Sequence, residues 1–185
     1  KTIFEQMKTR VAISTISGER RGIIEDQGLI AIGANGSLNG AALLVEYGYI
    51  YESHLTGALS RDIMGELAYQ TYLGLKKYFE PKAVLADTTL LPYRWESPLK
   101  KGMRASRDVL SLQFALHAQG VFPPPGRDLE ECALTGNFGD CTEEAVFLFQ
   151  KKYAAEVLKP FGLNQGTGQA DSATLKKLRE LYPVD

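Results

Sequence analysis

The sequence predicts two parts of different fold class: an α/β part over residues 1–80 and a small all-α, three-helix part over residues 98–185. Short apolar runs set between glycines predict strands in the first part. In the second part, apolar residues recur at helical spacing behind good N-cap residues. Residues 81–97, which contain two prolines, are predicted to be the linker between the parts.

Two apolar runs are the predicted strands of the first part. Residues 28–32 read Gly-Leu-Ile-Ala-Ile, residues 41–46 read Ala-Ala-Leu-Leu-Val-Glu, and the turn between them is rich in Asn and Gly. Continuous apolar runs are typical of strands that are covered on both faces, as in a parallel α/β sheet. The sequence therefore predicts a partial open sheet, with the carboxylate of Glu46 at the C-terminal end of its second strand.

Residues 60–79 form the clearest predicted helix of the first part. Ser60 is a candidate N-cap, and Pro81 marks the end of the helical pattern. The apolar residues predicted to share one face of this helix are Ile63, Leu67, Leu75 and Phe79.

Three helices are predicted in the second part, and no internal repeat is apparent. Ser106 is a good N-cap for a helix over residues 107–119. A second helix is predicted from Thr142 to about Tyr153, and Asp171 or Ser172 would cap a third.

The overall charge and hydropathy limit the kinds of partner. The formal net charge is −1, so no strong electrostatic attraction to nucleic acid or to anionic wall polymers is expected. No apolar run approaches the roughly 18 to 20 residues that a membrane span needs. The chain begins at Lys1 without an apolar leader, and we expect it to be a fragment or a processed chain.

The two cysteines, Cys132 and Cys141, stand nine residues apart on either side of a glycine-containing turn. This spacing is compatible with a disulfide and with two free thiols, and export from the cytosol would favour the disulfide. The histidines, His54 and His117, stand in no metal-binding spacing, so no zinc site is predicted within this chain.

Two signatures follow one another in the second part. They read Ser106-x-Asp108-Val109-x-x-Leu112-Gln113-x-x-Leu116-x-x-x-Gly120 and Gly136-Asn137-Phe138-Gly139-x-x-Thr142-x-x-Ala145-Val146-x-x-Phe149-Gln150, and then Gly168-x-x-Asp171-x-x-Thr174-x-x-x-Leu178. In order and spacing they resemble the peptidoglycan-binding domain found beside amidases, lysozymes and transpeptidases. The resemblance implies that peptidoglycan is the partner. Asn137, Phe138 and Gln150, which lie near the turn, are the candidate contacts.

The first part resembles the C-terminal portion of zinc-dependent N-acetylmuramoyl-L-alanine amidases. The resemblance lies in residues 41–50, where a strand ends on Glu46, and in the helix that ends Lys76-Lys77-Tyr78-Phe79. It implies that Glu46 is the catalytic carboxylate, which would move a proton to the leaving amine while zinc polarises the amide carbonyl. The family's zinc ligands, two histidines and a glutamate, would lie upstream of this segment, so this chain alone is predicted to bind no catalytic zinc.

The sequence therefore predicts part of an exported bacterial cell-wall amidase, acting in the periplasm, in the cell wall or outside the cell. The second part would hold the enzyme on its insoluble substrate. One alternative is a non-catalytic peptidoglycan-binding protein, and another is a different wall hydrolase that shares the module. A module that binds another protein is a further alternative.

Overall fold

The computed structural model describes residues 1–20, 22–25, 28 and 42–184. Seven α-helices lie in these ranges, with a short 3-10 helix, Lys159–Phe161, between the sixth and the seventh. In chain order they are α1 (Thr2–Met7), α2 (Ser53–Thr56), α3 (Ser60–Phe79), α4 (Arg107–Ala118), α5 (Asp140–Lys152), α6 (Ala154–Val157) and α7 (Ser172–Leu181).

The α/β fold predicted for residues 1–80 is wrong. The described ranges contain no sheet, and their one backbone bridge joins Leu99 to Ala170. Residues 42–49 form no strand, and Leu43 and Leu44 are 61% and 53% exposed. A strand needs a neighbour to pair its backbone groups, and no described segment provides one for this run. The other predicted strand, residues 28–32, lies outside the described residues except for Gly28.

Helix α3 has the predicted bounds, but its N-cap is Leu59 rather than the predicted Ser60, and it buries a different face. Its buried residues are Ile63, Glu66, Leu67, Gln70, Leu73 and Gly74. Leu75 and Phe79, which were predicted to share the buried face, are 43% and 74% exposed. The buried stripe turns toward Glu66 and Gln70 because the Glu66 carboxylate and the Gln70 amide nitrogen have hydrogen-bond partners inside the protein.

A buried ion pair ties the N-terminal segment to α3. The Nε of Arg10 donates to Glu66 at 3.0 Å, and both side chains are almost completely buried. Glu66 also accepts from Gln70, from both hydroxyls of Thr88 and Thr89, and from the Thr89 N–H. The Arg10 guanidinium lies 5.3 Å from the ring centre of Phe114 on α4. Full hydrogen bonding is what makes a buried charge tolerable, so this network holds residues 1–10, α3 and residues 87–89 together.

The segment predicted as a linker packs against the helices that follow it. Trp95 is 1% exposed, and its indole N–H donates to the Asp108 carbonyl at 3.0 Å. Arg179 of α7 donates to the Trp95 carbonyl, and Ser111 of α4 donates to the Leu90 carbonyl. Residues 90–95 are therefore fixed on the surface formed by α4 and α7.

The helices of residues 98–184 lie close to their predicted positions. Ser106 caps α4 by accepting from the Val109 N–H, and Asp171 caps α7 by accepting from the Thr174 N–H. Helix α5 begins at Asp140, two residues before the predicted Thr142, with Gly139 at its N-cap. The core between these helices contains side chains that are 1% exposed or less: Val109, Leu112, Leu116, Ala145, Val146, Phe149, Leu175 and Leu178.

Candidate functional site

Two buried glutamines organise residues 98–184. The side-chain oxygen of Gln113 on α4 accepts from the N–H groups of Thr135 and Gly136, at 3.1 and 2.9 Å. Its amide nitrogen donates to the Asn137 carbonyl and to the Thr142 hydroxyl. One side chain thus fixes both the turn before α5 and the first turn of α5.

Gln150 on α5 repeats this arrangement for the next helix. Its oxygen accepts from the N–H groups of Thr167 and Gly168, and its nitrogen donates to the Gln169 carbonyl and to the Thr174 hydroxyl of α7. Both glutamines are essentially unexposed. Residues 98–184, called the module below, therefore contain two equivalent helix–turn–helix units that share α5. No repeat was apparent in the sequence.

The turn glycines of both units have positive φ, 74° for Gly136 and 71° for Gly168. A Cβ at Gly136 would lie 2.8 Å from the Ser106 carbonyl oxygen, and one at Gly168 would lie 2.8 Å from Cγ of Glu143. Glycine is needed here for its left-handed conformation and for the close approach of the preceding element.

The structure joins Cys132 to Cys141 by a disulfide, with a Cα–Cα distance of 5.8 Å. The bond connects the segment before the first glutamine turn to the beginning of α5. It encloses the Gly136 turn, so a covalent bond and the Gln113 hydrogen bonds restrain the same stretch of chain.

Of the three candidate contacts from the sequence, Asn137 is exposed, and its side-chain oxygen accepts from the Ala105 N–H. Phe138 is 2% exposed and Gln150 is not exposed at all. Phe138 packs in the core and Gln150 holds the second turn, so a ligand at the surface would not reach either side chain.

Glu46, the predicted catalytic carboxylate, has an exposed side chain. The neighbouring Tyr47 anchors the segment to α3 through a 2.8 Å hydrogen bond between its hydroxyl and that of Thr71. His54 lies on the other side of Tyr47, with its Nε2 3.2 Å from the Tyr47 carbonyl and its Nδ1 3.2 Å from Glu52. Within the described ranges, no three His, Cys, Asp or Glu side chains form a group that could hold a metal ion.

A surface cleft of about 390 Å³ lies between the end of α4, the proline-rich loop after it, and α5. Its walls are aliphatic, and two lysines stand at its edge; the lining residues are Gly120, Val121, Pro125, Leu148, Lys151 and Lys152. The sequence did not predict this cleft, because two segments, residues 120–125 and 148–152, form it only through tertiary packing.

A second cleft of about 370 Å³ lies where residues 10–16 meet α3 and residues 129–134. Its charged groups already have partners inside the protein. Arg10 pairs with Glu66, Glu52 with His54, and Glu130 accepts from the Thr15 hydroxyl. The first cleft, where Lys151 forms no ion pair with the residues that the structure describes, is therefore the better candidate for binding a charged ligand.

Comparison with models of known protein families finds no match for this chain, and neither do comparisons with curated proteins or with solved structures. None of the helices in the described part of the chain is long and apolar enough to cross a membrane.

Proposed function

We propose that residues 98–185 bind peptidoglycan and that the chain is the anchoring part of a bacterial cell-wall hydrolase. The observation that carries this proposal is the pair of glutamine-centred turns. The positions at which the sequence resembles peptidoglycan-binding domains include Gln113, Gly136, Thr142, Gln150, Gly168 and Thr174. The same positions meet in the two hydrogen-bond networks. Residues that match the family and also act together in one hydrogen-bond network support the proposal more strongly than sequence similarity alone.

The disulfide supports the same proposal. Bonds of this kind persist in oxidising compartments and are rare in the cytosol. Peptidoglycan lies outside the cytosol, so a wall-binding protein would work where the bond between Cys132 and Cys141 is stable.

The amidase activity is proposed only for a longer protein that supplies the zinc ligands. In that protein Glu46 would transfer a proton during cleavage of the bond between N-acetylmuramic acid and L-alanine. The exposed position of its side chain leaves the carboxylate accessible to substrate. This chain contributes the carboxylate and the anchor, and the zinc ion would be held by other residues.

The experiment is co-sedimentation of the whole chain with purified insoluble peptidoglycan, with cellulose as the control polymer. We expect the chain to sediment with peptidoglycan and to stay in solution with cellulose. Gln150→Ala should lose binding together with helical circular dichroism, whereas Glu46→Ala should bind as the unchanged chain does. Equal recovery on the two polymers, or on neither, would overturn the proposal.

The same samples, supplied with zinc, also test the assignment of Glu46. We expect no release of stem peptides from this chain. Release that depends on zinc and disappears in Glu46→Ala would show that the chain holds a complete active site.

A further inference from the structure

The cleft between α4 and α5 combines an aliphatic floor with positive charge at its edge. Val121, Pro125 and Leu148 form the floor, and Lys151 and Lys152 project from the last turn of α5. The lining includes no acidic residue. Its chemistry therefore suits a ligand that carries methyl groups and carboxylates on the same small molecule or chain.

The two lysines differ in how they are held. The ammonium of Lys152 donates to the backbone carbonyl of Gln119 at 2.9 Å and to its side-chain oxygen at 3.2 Å, and it lies 5.4 Å from the ring centre of Tyr153. Tyr153 and Tyr182 hold the Gln119 amide in turn. An ammonium has three donors, so Lys152 keeps one for a ligand while its position is already fixed. Such preorganisation lowers the entropy lost on binding.

Lys151 is exposed, and it forms no ion pair with any residue in the described ranges. Four other cations of the module have an acidic partner: Lys101 contacts Asp140 and Glu143, Arg107 contacts Asp62, Arg127 contacts Glu144, and Lys177 contacts Glu156. Lys151 thus brings an uncompensated positive charge to the edge of an apolar cleft.

We propose that this cleft binds the stem peptide of peptidoglycan rather than its sugar chain, an inference that rests on the proposed function. Stem peptides contain alanine methyl groups and free carboxylates, which match the aliphatic floor and the two ammonium groups. Sugar rings are commonly held by stacking on aromatic side chains, and the lining of this cleft has none. Its volume is near the small end of ligand sites, which suits a few amino acids better than a glycan strand.

The test is co-sedimentation of the whole chain with three forms of insoluble wall: intact peptidoglycan, glycan from which an amidase has removed the peptides, and peptidoglycan whose carboxylates have been amidated. We expect binding to the intact form to be the tightest and to weaken as salt rises. Lys151→Glu should weaken binding to intact peptidoglycan by about fivefold, because it replaces an attractive charge by a repulsive one.

Lys152→Met is the second variant, and it removes the fixed ammonium while keeping an unbranched side chain. Lys176→Glu is the matched control, because Lys176 is an exposed lysine of α7 outside the cleft. This variant should bind intact peptidoglycan as the unchanged chain does. Thermal melting of each variant separates lost binding from lost folding.

Each outcome bears on a different claim. Equal binding to intact and peptide-free wall would overturn the stem-peptide assignment but leave the peptidoglycan-binding function standing. Equal weakening by Lys151→Glu and Lys176→Glu would show that the cleft is not the site. Failure to bind any form of wall would overturn the proposed function together with this inference.

Discussion

Residues 98–184 supply most of the buried apolar core, whereas the described part of residues 1–80 leaves many large apolar side chains in solvent. Val109, Leu112 and Val146 have no exposed surface, but Ile50 is 84% and Phe79 is 74% exposed. In the module, the apolar faces of the helices share one core with Met7, Ile63 and Leu67 of the first region, and two glutamines satisfy the turn backbone. In the first region, a charged network holds the N-terminal segment to α3. The comparison shows that capped helices with a local apolar pattern supply most of the shared core, whereas an apolar run that needs partner strands stays exposed, as Leu43 and Leu44 do.

The largest effect is expected from the glutamines that satisfy the backbone of the two turns. Gln113→Ala or Gln150→Ala leaves one buried and one part-buried N–H group without an acceptor, and it takes from a threonine hydroxyl the amide that donates to it. We expect each to lower the free energy of unfolding by about 4 kcal/mol, the sum of several unmet hydrogen bonds. Urea denaturation followed by circular dichroism would measure this loss.

Gln169→Ala is the matched control, because Gln169 has an exposed side chain and takes part in the second network only through its backbone carbonyl and N–H. It should change stability little. A loss as large in Gln169→Ala as in Gln150→Ala would mean that the two networks are not what sets the stability of the module.

A smaller and more local effect is expected from the charged network of the first region. Arg10→Ala leaves Glu66 buried without its cation, at a cost of about 3 kcal/mol. Hydrogen exchange should then show loss of amide protection in α1 and α3, while α4 and α5 keep theirs. Lys8→Ala, which removes an exposed ion pair with Glu5, is the control and should leave exchange unchanged. Equal loss of protection in α5 would show that the two regions unfold as one unit.

The smallest effect is a pH dependence at the contact between the two regions. Burial, and then the positive charge of Arg10, hold the pKa of His117 below its ordinary value of 6.5. As the pH falls below about 6.5, the unfolded chain takes up a proton at His117 that the folded chain resists, so stability decreases. Above that pH both states are neutral there, and His117 contributes no pH dependence.

Unfolding in urea at pH 7.5 and at pH 5 would measure this dependence for the unchanged chain and for His117→Gln. We expect the unchanged chain to lose more stability between the two pH values than the variant does. Identical losses would contradict a role for His117.

The sequence allowed most of the helices to be predicted, because helix caps and helical periodicity are local signals. Ser106 and Asp171 cap the helices that their side chains predict, and α3 runs over the predicted residues. The prediction of a strand ending at Glu46 was wrong because an apolar run does not indicate whether another segment can pair with it. The prediction of the buried face of α3 was wrong because Glu66 and Gln70 are residue types typical of surfaces. Arg10, far away in the chain, pairs with Glu66, and Gln70 donates to Glu66 and to the Asp87 carbonyl.

The candidate site was less accessible to prediction than the fold. Lys151, Lys152 and Pro125 come together only through tertiary packing, so no motif marks the cleft. The repeat of the two glutamine units, in contrast, could have been predicted from the sequence. Each unit contains a Thr-Gly pair followed by a threonine six residues after the glycine. The residues are Thr135, Gly136 and Thr142 in the first unit, and Thr167, Gly168 and Thr174 in the second. The loops between glutamine and glycine differ in length, which hides the repeat from an alignment at one fixed period.

The unequal loops of the two glutamine units have a practical consequence for engineering. Gln113 and Thr142 are 29 residues apart, whereas Gln150 and Thr174 are 24 apart, yet both pairs close at 2.9 Å. The two units thus form the same hydrogen bond across loops of different length. Lengthening a loop increases the entropic cost of closing it only slowly. Foreign peptides or affinity tags could be inserted near the exposed Leu163 and Gln165 without disturbing either unit.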